Sequence, residues 1–141
     1  MKTIALIACA SKKKPHRARA AELYDSTLFK LSLQYARDLK PDKIFILSAK
    51  YGLLPLDQEI EPYNVTLMRM STSEVQGWAG KVISQIKKVA DLERDHFVIL
   101  AGDRYRKYLV PHLTSYDVPL EGLRIGEQLQ RLGVLHESRL S

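Results

Sequence analysis

The sequence predicts an α/β domain, a three-layer sandwich with a mostly parallel sheet of about four strands. Short continuous apolar segments recur at 2–8, 43–47 and 96–101, and such segments are typical of strands buried on both faces. Segments with helical periodicity lie between them, so strands and helices alternate along the chain. This alternation favours a Rossmann-like arrangement in which helices cover both faces of the sheet.

The first half of the chain contains two of the predicted strands and one helix. After the first strand, Asp25 or Ser26 can cap a helix that ends near 40–41. The predicted core-facing stripe of this helix is Leu28, Leu31, Tyr35 and Leu39. The second strand, 43–47, is followed by 48–64. Because it contains a glycine and two prolines, this stretch is predicted to be a long loop with little regular structure.

The second half begins with a capping box, Ser71-x-x-Glu74, which predicts the start of a strong helix. The apolar stripe of this helix is Val75, Trp78, Ala79, Val82, Ile83, Ile86 and Val89. After the third strand a glycine–aspartate pair opens a further helix, with Tyr105, Tyr108 and Leu109 facing inward. A short strand at 116–118, a loop at 119–126 and a last helix complete the chain. The last helix carries Leu129, Leu132 and Leu135.

Length and composition bound the class of protein. A chain of 141 residues predicts one domain spanning 1–141, long enough to bury a hydrophobic core. No apolar run approaches the ~20 residues that cross a bilayer, so no membrane partner is expected. The single cysteine excludes an internal disulfide and favours the reducing cytoplasm. The first apolar segment is shorter than the roughly 7–15 residues of a signal-peptide core.

The positive charge is concentrated at the N-terminus. The net charge is +6, and residues 1–20 contain six basic groups and no acidic one, whereas the rest of the chain is neutral. The first loop is therefore predicted to attract phosphates or other anions. Taken singly, Lys13, Lys14, Arg17 and Arg19 also fit a solvated surface loop.

The loops that follow the first three strands are predicted to form one basic cleft, because ligands of open parallel sheets bind outside the strands' carboxyl ends. Ser11 and Lys12 can hold a phosphate through backbone amides and a point charge. Cys9 is either a small buried residue or a thiol activated by neighbouring lysines. The substrate- or phosphate-binding candidates are Cys9, Ser11, Lys12, Ser48, Gly52, Tyr63, Gly102 and Tyr105.

Four residues are candidates for catalysis. Lys50 and Tyr51 follow the second strand before a glycine turn, which predicts a cation and a phenol directed into the cleft. The alternatives are a solvated lysine and a tyrosine that covers the core. Glu61 lies on the same long loop, and loops of this length inside a compact domain are usually functional. Asp103 is either a general base or the cap of the helix that starts at Arg104, and the cap is favoured.

No metal ion and no cofactor are expected. The four histidines show no paired ligand spacing and there is only one thiol. They are His16, His96, His112 and His136, of which the last two fit surface or rim positions. The Gly-x-Gly-x-x-Gly and P-loop patterns are both absent, so neither a dinucleotide nor a P-loop phosphate site is predicted.

Four segments, ACASKKK, LSAKYGLLPLDQEIEPYNVTL, LAGDRYRKYLVPHL and VPLEGLRIGEQLQRL, together resemble a family of small bacterial and phage proteins without settled function. The central segment, 48–63, is also similar to the family of the peroxide-stress protein YaaA and to a domain of archaeosine synthase. The matching positions are Ser48, Tyr51, Gly52, Leu54, Pro55, Leu56, Ile60, Pro62 and Tyr63. The resemblance implies an α/β fold and an association with DNA binding or nucleobase chemistry, in a stress-related setting.

Three functional hypotheses follow, of which the third is a protein-interaction domain that would require an exposed apolar patch. The first is an enzyme, or an enzyme-like domain, that acts on a nucleotide, a nucleobase or a nucleic acid through the basic cleft. The second is a non-catalytic nucleic-acid-binding module, which needs only the charge of the first loop and predicts affinity that falls steeply with salt. The oligomeric state is not predicted.

Overall fold

The computed structural model describes residues 1–140, except for the side chains of residue 125 and residues 134–140. It confirms the mixed α/β prediction: helices cover both faces of a five-stranded, mostly parallel sheet. The elements in chain order are β1 (Thr3–Ala8), β2 (Ala18–Arg19), α1 (Ala20–Leu23), α2 (Thr27–Asp38), β3 (Lys43–Ser48), β4 (Gly52–Pro55), β5 (Glu59–Ile60), α3 (Thr72–Lys87), β6 (His96–Leu100), α4 (Asp103–Arg106), β7 (Ser115–Asp117) and α5 (Ile125–Leu140).

The sheet has the strand order β4-β3-β1-β6-β7. The four predicted strands are β1, β3, β6 and β7, all parallel to their neighbours among these four. The fifth, β4, lies inside the segment that was predicted to be irregular, so that prediction is wrong. Gly52 has a positive φ of 73° and turns the chain back, which lets β4 pair antiparallel with β3. A two-stranded sheet of β2 and β5 was also not predicted.

Alternating side chains of β1 divide the core into two layers. Ile4 and Leu6 pack on the face covered by α3, and Ala5 and Ile7 pack on the face covered by α2 and α5. This division follows from the two-residue period of a strand, which sends neighbouring side chains to opposite faces. Both faces are apolar, as the continuous hydrophobic segments indicated.

Helix α2 differs in detail from its prediction. Ser26, rather than Asp25, is the N-cap residue, and its hydroxyl accepts a hydrogen bond from the Phe29 amide at 3.1 Å. The fully buried positions are Phe29, Ser32, Leu33 and Ala36, whereas the predicted Leu28, Leu31 and Tyr35 are only partly buried at the flanks. The helix packs against both the sheet and α5, so apolar residues occupy a wider arc than one stripe.

The remaining helices agree more closely with their predictions. Ser71 and Glu74 form the predicted capping box of α3, and the predicted apolar stripe is buried up to Ile86. Helix α4 is shorter than expected and ends at Arg106, although Leu109 beyond it is buried as predicted. In α5 Leu132 is buried, while the side chains of Leu135 and His136 lie outside the described residues. None of the described helices is both long and apolar enough to cross a membrane.

The topology defines one special position at the carboxyl edge of the sheet. From β1 the chain crosses through α2 to β3 on one side, and from β3 it crosses through α3 to β6 on the other side of β1. The strand order therefore reverses between β1 and β6. In doubly wound sheets this switch point leaves a crevice outside the strand ends, where ligands bind.

Candidate functional site

A cavity of about 780 Å³ lies at this switch point. The end of β1 with the loop after it (8–12) and the end of β6 with the start of α4 (100–103) line it, together with the first turns of α2, the loop before α5 and Gln128 of α5. Its volume falls within the range of small-molecule sites, ~300–1,000 Å³. We call it the switch-point cavity. Its polar lining residues are Cys9, Ser11, Lys12, Ser26, Ser32, Asp103, Arg106 and Gln128.

The first loop delivers Lys12 to the cavity and keeps Lys13 out of it. Two backbone contacts hold the loop next to α2. The Asp25 amide donates to the Lys12 carbonyl at 2.8 Å, and Lys13 forms an isolated antiparallel β-bridge with Tyr24. In this extended backbone, neighbouring side chains point in opposite directions. Lys12 lines the cavity, whereas the Lys13 ammonium lies 4.3 Å from the centre of the Tyr63 ring.

The loop after β6 contributes charges of both signs. The Arg106 guanidinium donates to the Ala101 carbonyl at 3.0 Å and lies 3.9 Å from the Glu121 carboxylate, so its position is fixed at the cavity. Asp103 is exposed and lines the same cavity. The prediction that Asp103 caps a helix from Arg104 is wrong, because α4 begins at Asp103 itself. The N-cap residue is Gly102, so no side chain caps this helix.

On the other side of β1 the structure assembles three hydroxyl groups, which we call the hydroxyl cluster: Tyr24, Ser48 and Tyr63. Ser48 Oγ accepts hydrogen bonds from the amides of Tyr51 at 3.0 Å and Lys50 at 3.3 Å. With both lone pairs used, its proton is donated to the Tyr63 oxygen at 2.8 Å. Tyr63 in turn donates to Tyr24 at 2.6 Å.

Burial dominates the electrostatics of these phenols. It raises the pKa of Tyr24 to about 12, partly offset by the hydrogen bond from Tyr63. It also raises the pKa of Tyr63, and the neighbouring Cys9 and Tyr24 raise it further. Burial lowers the pKa of Lys13, against an opposing effect of Cys9. The phenols of the hydroxyl cluster therefore stay protonated at neutral pH and do not act as bases.

Cys9 lies between the two regions. It follows β1, the central strand, and packs against the core on both faces of the sheet. Its sulfur is 3.3 Å from the Tyr105 hydroxyl, which lies on the α3 side beside Trp78. Burial is the main reason why the pKa of Tyr105 is raised, and the neighbouring Cys9 raises it further. Cys9 also lines the switch-point cavity, and it is near enough to the hydroxyl cluster to influence the pKa of Tyr63.

The structure thus separates the candidates that the sequence placed in one cleft. Cys9, Ser11, Lys12, Gly102 and Asp103 line the switch-point cavity, as the strand-end rule predicts. The other predicted residues lie outside its lining: Tyr105 is on the α3 side, and the rest belong to the segment 48–64, which we call the second loop. They are Ser48, Lys50, Tyr51, Gly52, Glu61, Tyr63 and Tyr105. The switch-point cavity therefore contains only part of the predicted site, because the second loop turns back along β3 through β4 and lies outside the cavity lining.

The second loop has structural partners of its own. The exposed Lys50 ammonium lies 5.3 Å from the centre of the Tyr51 ring, and the Glu61 carboxylate lies 3.6 Å from the Arg17 guanidinium at the surface. Gln85 of α3 accepts from the Leu53 amide at 2.8 Å and donates to the Tyr51 carbonyl at 3.2 Å. These contacts hold the loop against α3 and turn Lys50 outward.

Sequence reasoning missed three residues that matter to these regions. Ser32 was detectable, because it is a polar residue within the buried arc of α2, between Phe29 and Ala36. Arg106 and Gln85 gave no sequence signal, because their roles depend on contacts with distant backbone. Among the residues that the structure describes, no three His, Cys, Asp or Glu side chains are grouped to hold a metal ion.

Comparison with known proteins identifies the family of the chain but assigns no activity to it. A family model described as "Family of unknown function (DUF6884)" matches residues 4–134, so the chain belongs to this family. The chain matches no curated protein and no solved structure.

Proposed function

We propose that this domain binds a nucleotide or a nucleobase derivative in the switch-point cavity and carries the groups for chemistry on it. The observation that carries the proposal is the position of the cavity: both strand-end loops at the reversal of strand order line it. Enzymes with open parallel sheets bind their ligands at this point.

The charges of the lining support an anionic ligand. Lys12 is exposed and forms no ion pair with any described residue, so its charge is available to a phosphate. Arg106 is held at the cavity, although part of its charge is compensated by Glu121. Apolar side chains, among them Phe29 and Leu100, line the same space and suit a planar base.

Two groups in the cavity supply chemistry. The Asp103 carboxylate is exposed at the lining and is the acid/base candidate, and the Cys9 thiol is the nucleophile candidate. Lys50 and Glu61 lie outside the lining and take no part in this proposal. The resemblance of 48–63 to the YaaA-type segment adds support for nucleobase chemistry, with that segment in a supporting structural role.

A ligand screen tests the binding. We expect nucleoside 5′-monophosphates or nucleobases to raise the melting temperature of the protein. Lys12→Ala removes most of this stabilisation for phosphate-bearing ligands, and Lys14→Ala, from the same loop but outside the cavity lining, leaves it in place. The binding proposal fails if no nucleotide and no nucleobase raises the melting temperature of the wild type.

A second assay tests the chemistry. Ligands that bind are incubated with the protein, and a change in their mass is followed by mass spectrometry. We expect conversion with the wild type and its loss in Asp103→Asn, with binding retained. Binding without conversion, across all the ligands that bind, would reduce the proposal to a binding domain.

A nucleic-acid-binding module is the second candidate, favoured by exposed basic groups on the first loop. Arg19, like Lys12, is exposed and forms no ion pair with the residues that the structure describes, whereas Arg17 is paired with Glu59 and Glu61. This candidate predicts a gel shift of single-stranded oligonucleotides that weakens steeply with salt and disappears in the Lys12/Lys13/Lys14 triple alanine variant. Salt-insensitive or absent binding excludes it.

A further inference from the structure

Ser32 is an unusual residue within the lining of the switch-point cavity. Its side chain lies on the buried arc of α2 and only 3% of its surface is exposed. Its hydroxyl makes no hydrogen bond with any residue that the structure describes. Every fully enclosed side-chain nitrogen or oxygen of the described residues has a partner, so the Ser32 oxygen opens into the cavity.

The position of Ser32 along α2 gives the cavity a direction. Ser26, the N-cap residue, lies at the strand-end loops, and Ser32 follows six positions later. At 1.5 Å per residue the two are about 9 Å apart along the helix axis. The Ser32 hydroxyl therefore lies deeper along α2 than the charged strand-end loops, which we call the mouth.

The mouth favours one anionic group. The start of the twelve-residue helix α2 presents amide groups there, and Lys12 adds a full positive charge. Asp25 beside it is paired with Lys30 at 2.8 Å, so its charge is largely offset. Glu121 partly compensates the lining residue Arg106, and the lining carboxylate of Asp103 repels further negative charge. This balance suits a monophosphate better than a longer phosphate chain.

The apolar part of the cavity lining suits a planar ring. It consists of Leu28, Phe29, Leu100, Leu120 and Leu123. Gln128 donates its amide to the Leu123 carbonyl at 2.9 Å, which leaves its oxygen as an acceptor for a ligand. Along α2 the order is therefore the amides of the first turn, the apolar Phe29 and the buried Ser32 hydroxyl.

We infer that the cavity takes a nucleoside 5′-monophosphate base-first, with the phosphate at Lys12 and the start of α2 and the base edge hydrogen-bonded to Ser32. This inference rests on the proposed function and adds the ligand class, its orientation and a specificity residue. Serine, as donor and acceptor, is suited to the amino and carbonyl groups of a base edge.

The test measures dissociation constants by calorimetry for the four common nucleoside 5′-monophosphates, the matching nucleosides and ribose 5-phosphate. Loss of one hydrogen bond in Ser32→Ala is expected to weaken the best monophosphate and its nucleoside by about three- to tenfold and to leave ribose 5-phosphate unchanged. Lys12→Ala is expected to weaken the two phosphate-bearing ligands and to spare the nucleoside. Ser84→Ala, an exposed position on α3, and Lys14→Ala serve as matched controls.

The outcomes separate this inference from the proposed function. If a monophosphate binds and depends on Lys12 while Ser32→Ala changes no affinity, the orientation is wrong and the proposed function stands. Equal weakening of ribose 5-phosphate by Ser32→Ala places the phosphate at Ser32 and also overturns the orientation. If the wild type binds none of these ligands, both proposals fall. Alanine suits a buried helical position, and circular dichroism verifies that the variant folds.

Discussion

The hydroxyl cluster and the switch-point cavity lie on either side of Cys9, and each contains an almost completely buried serine. Ser48 is 0% exposed and its oxygen takes part in three hydrogen bonds, whereas Ser32 is 3% exposed and bonds to no described residue. Folding alone explains the first serine, because its partners would otherwise be unsatisfied. It does not explain the second, since apolar residues fill such positions at lower cost. This difference is the reason why we place the proposed ligand in the cavity and not at the hydroxyl cluster.

The largest effect is expected where the second loop meets α3. Gly52 has a φ of 73°, and a Cβ there would lie 2.3 Å from Gln85 Oε1, the acceptor for the Leu53 amide. Gly52→Ala therefore combines left-handed backbone strain with the loss of that hydrogen bond. We expect a loss of about 2–4 kcal/mol in the free energy of unfolding, measured by urea denaturation.

Gly122 provides the control for this experiment. It has a similar φ of 78°, but an added Cβ would meet nothing within 4 Å. Gly122→Ala isolates the backbone strain and should cost only about 1–2 kcal/mol. Equal losses for the two variants would show that Gln85 does not hold the second loop.

Identical substitutions at the two serines test the comparison directly. Ser48→Ala leaves the Tyr51 and Lys50 amides without their acceptor and Tyr63 without its donor, so we expect a loss of about 1–3 kcal/mol. Ser32→Ala leaves no described group unsatisfied, and alanine is the better helix former, so the change should stay within about 0.5 kcal/mol. The free energy of unfolding of each variant, from denaturation in urea, decides between the two roles. A large loss at Ser32 would make that residue structural as well.

The hydroxyl cluster also predicts loss of stability in alkali. The folded pKa of Tyr24 is about 12, above the value of about 10 in the unfolded chain. A raised pKa means that this contribution is complete below about pH 10 and is lost as the pH rises towards 12. From Tyr24 alone we expect a decrease of about 1 kcal/mol near pH 11. Urea denaturation at several pH values, with Tyr24→Phe as the control, measures it, and equal pH slopes in the two proteins would contradict the assignment.

The sequence predicted most of the architecture because strands and helices depend on local patterns. Four strands and the α3 capping box follow from runs and spacings that neighbouring residues contain. The sequence did not predict β4, because the pairing of this strand depends on the turn at Gly52 and on Gln85, which lies more than thirty residues after β4 begins. The same limit applies to the site. The strand-end rule located the cavity, but the separation of Lys50 from Lys12 required the path of that return strand.

The smallest effect is expected at Glu61, which the sequence made an acid/base candidate. Its carboxylate is exposed and lies 3.6 Å from Arg17, and exposed ion pairs contribute little because water screens both charges. Glu61→Gln should therefore change the free energy of unfolding by less than about 0.5 kcal/mol and leave nucleotide binding unchanged.

Asp103→Asn is the matched substitution inside the cavity lining, and it should abolish turnover of any ligand that is converted. Calorimetry and the mass-spectrometric assay on the two variants compare the regions at the level of function. If Glu61→Gln lost activity while Asp103→Asn kept it, the reacting groups would lie on the second loop, and the cavity would be a binding site for something other than the substrate.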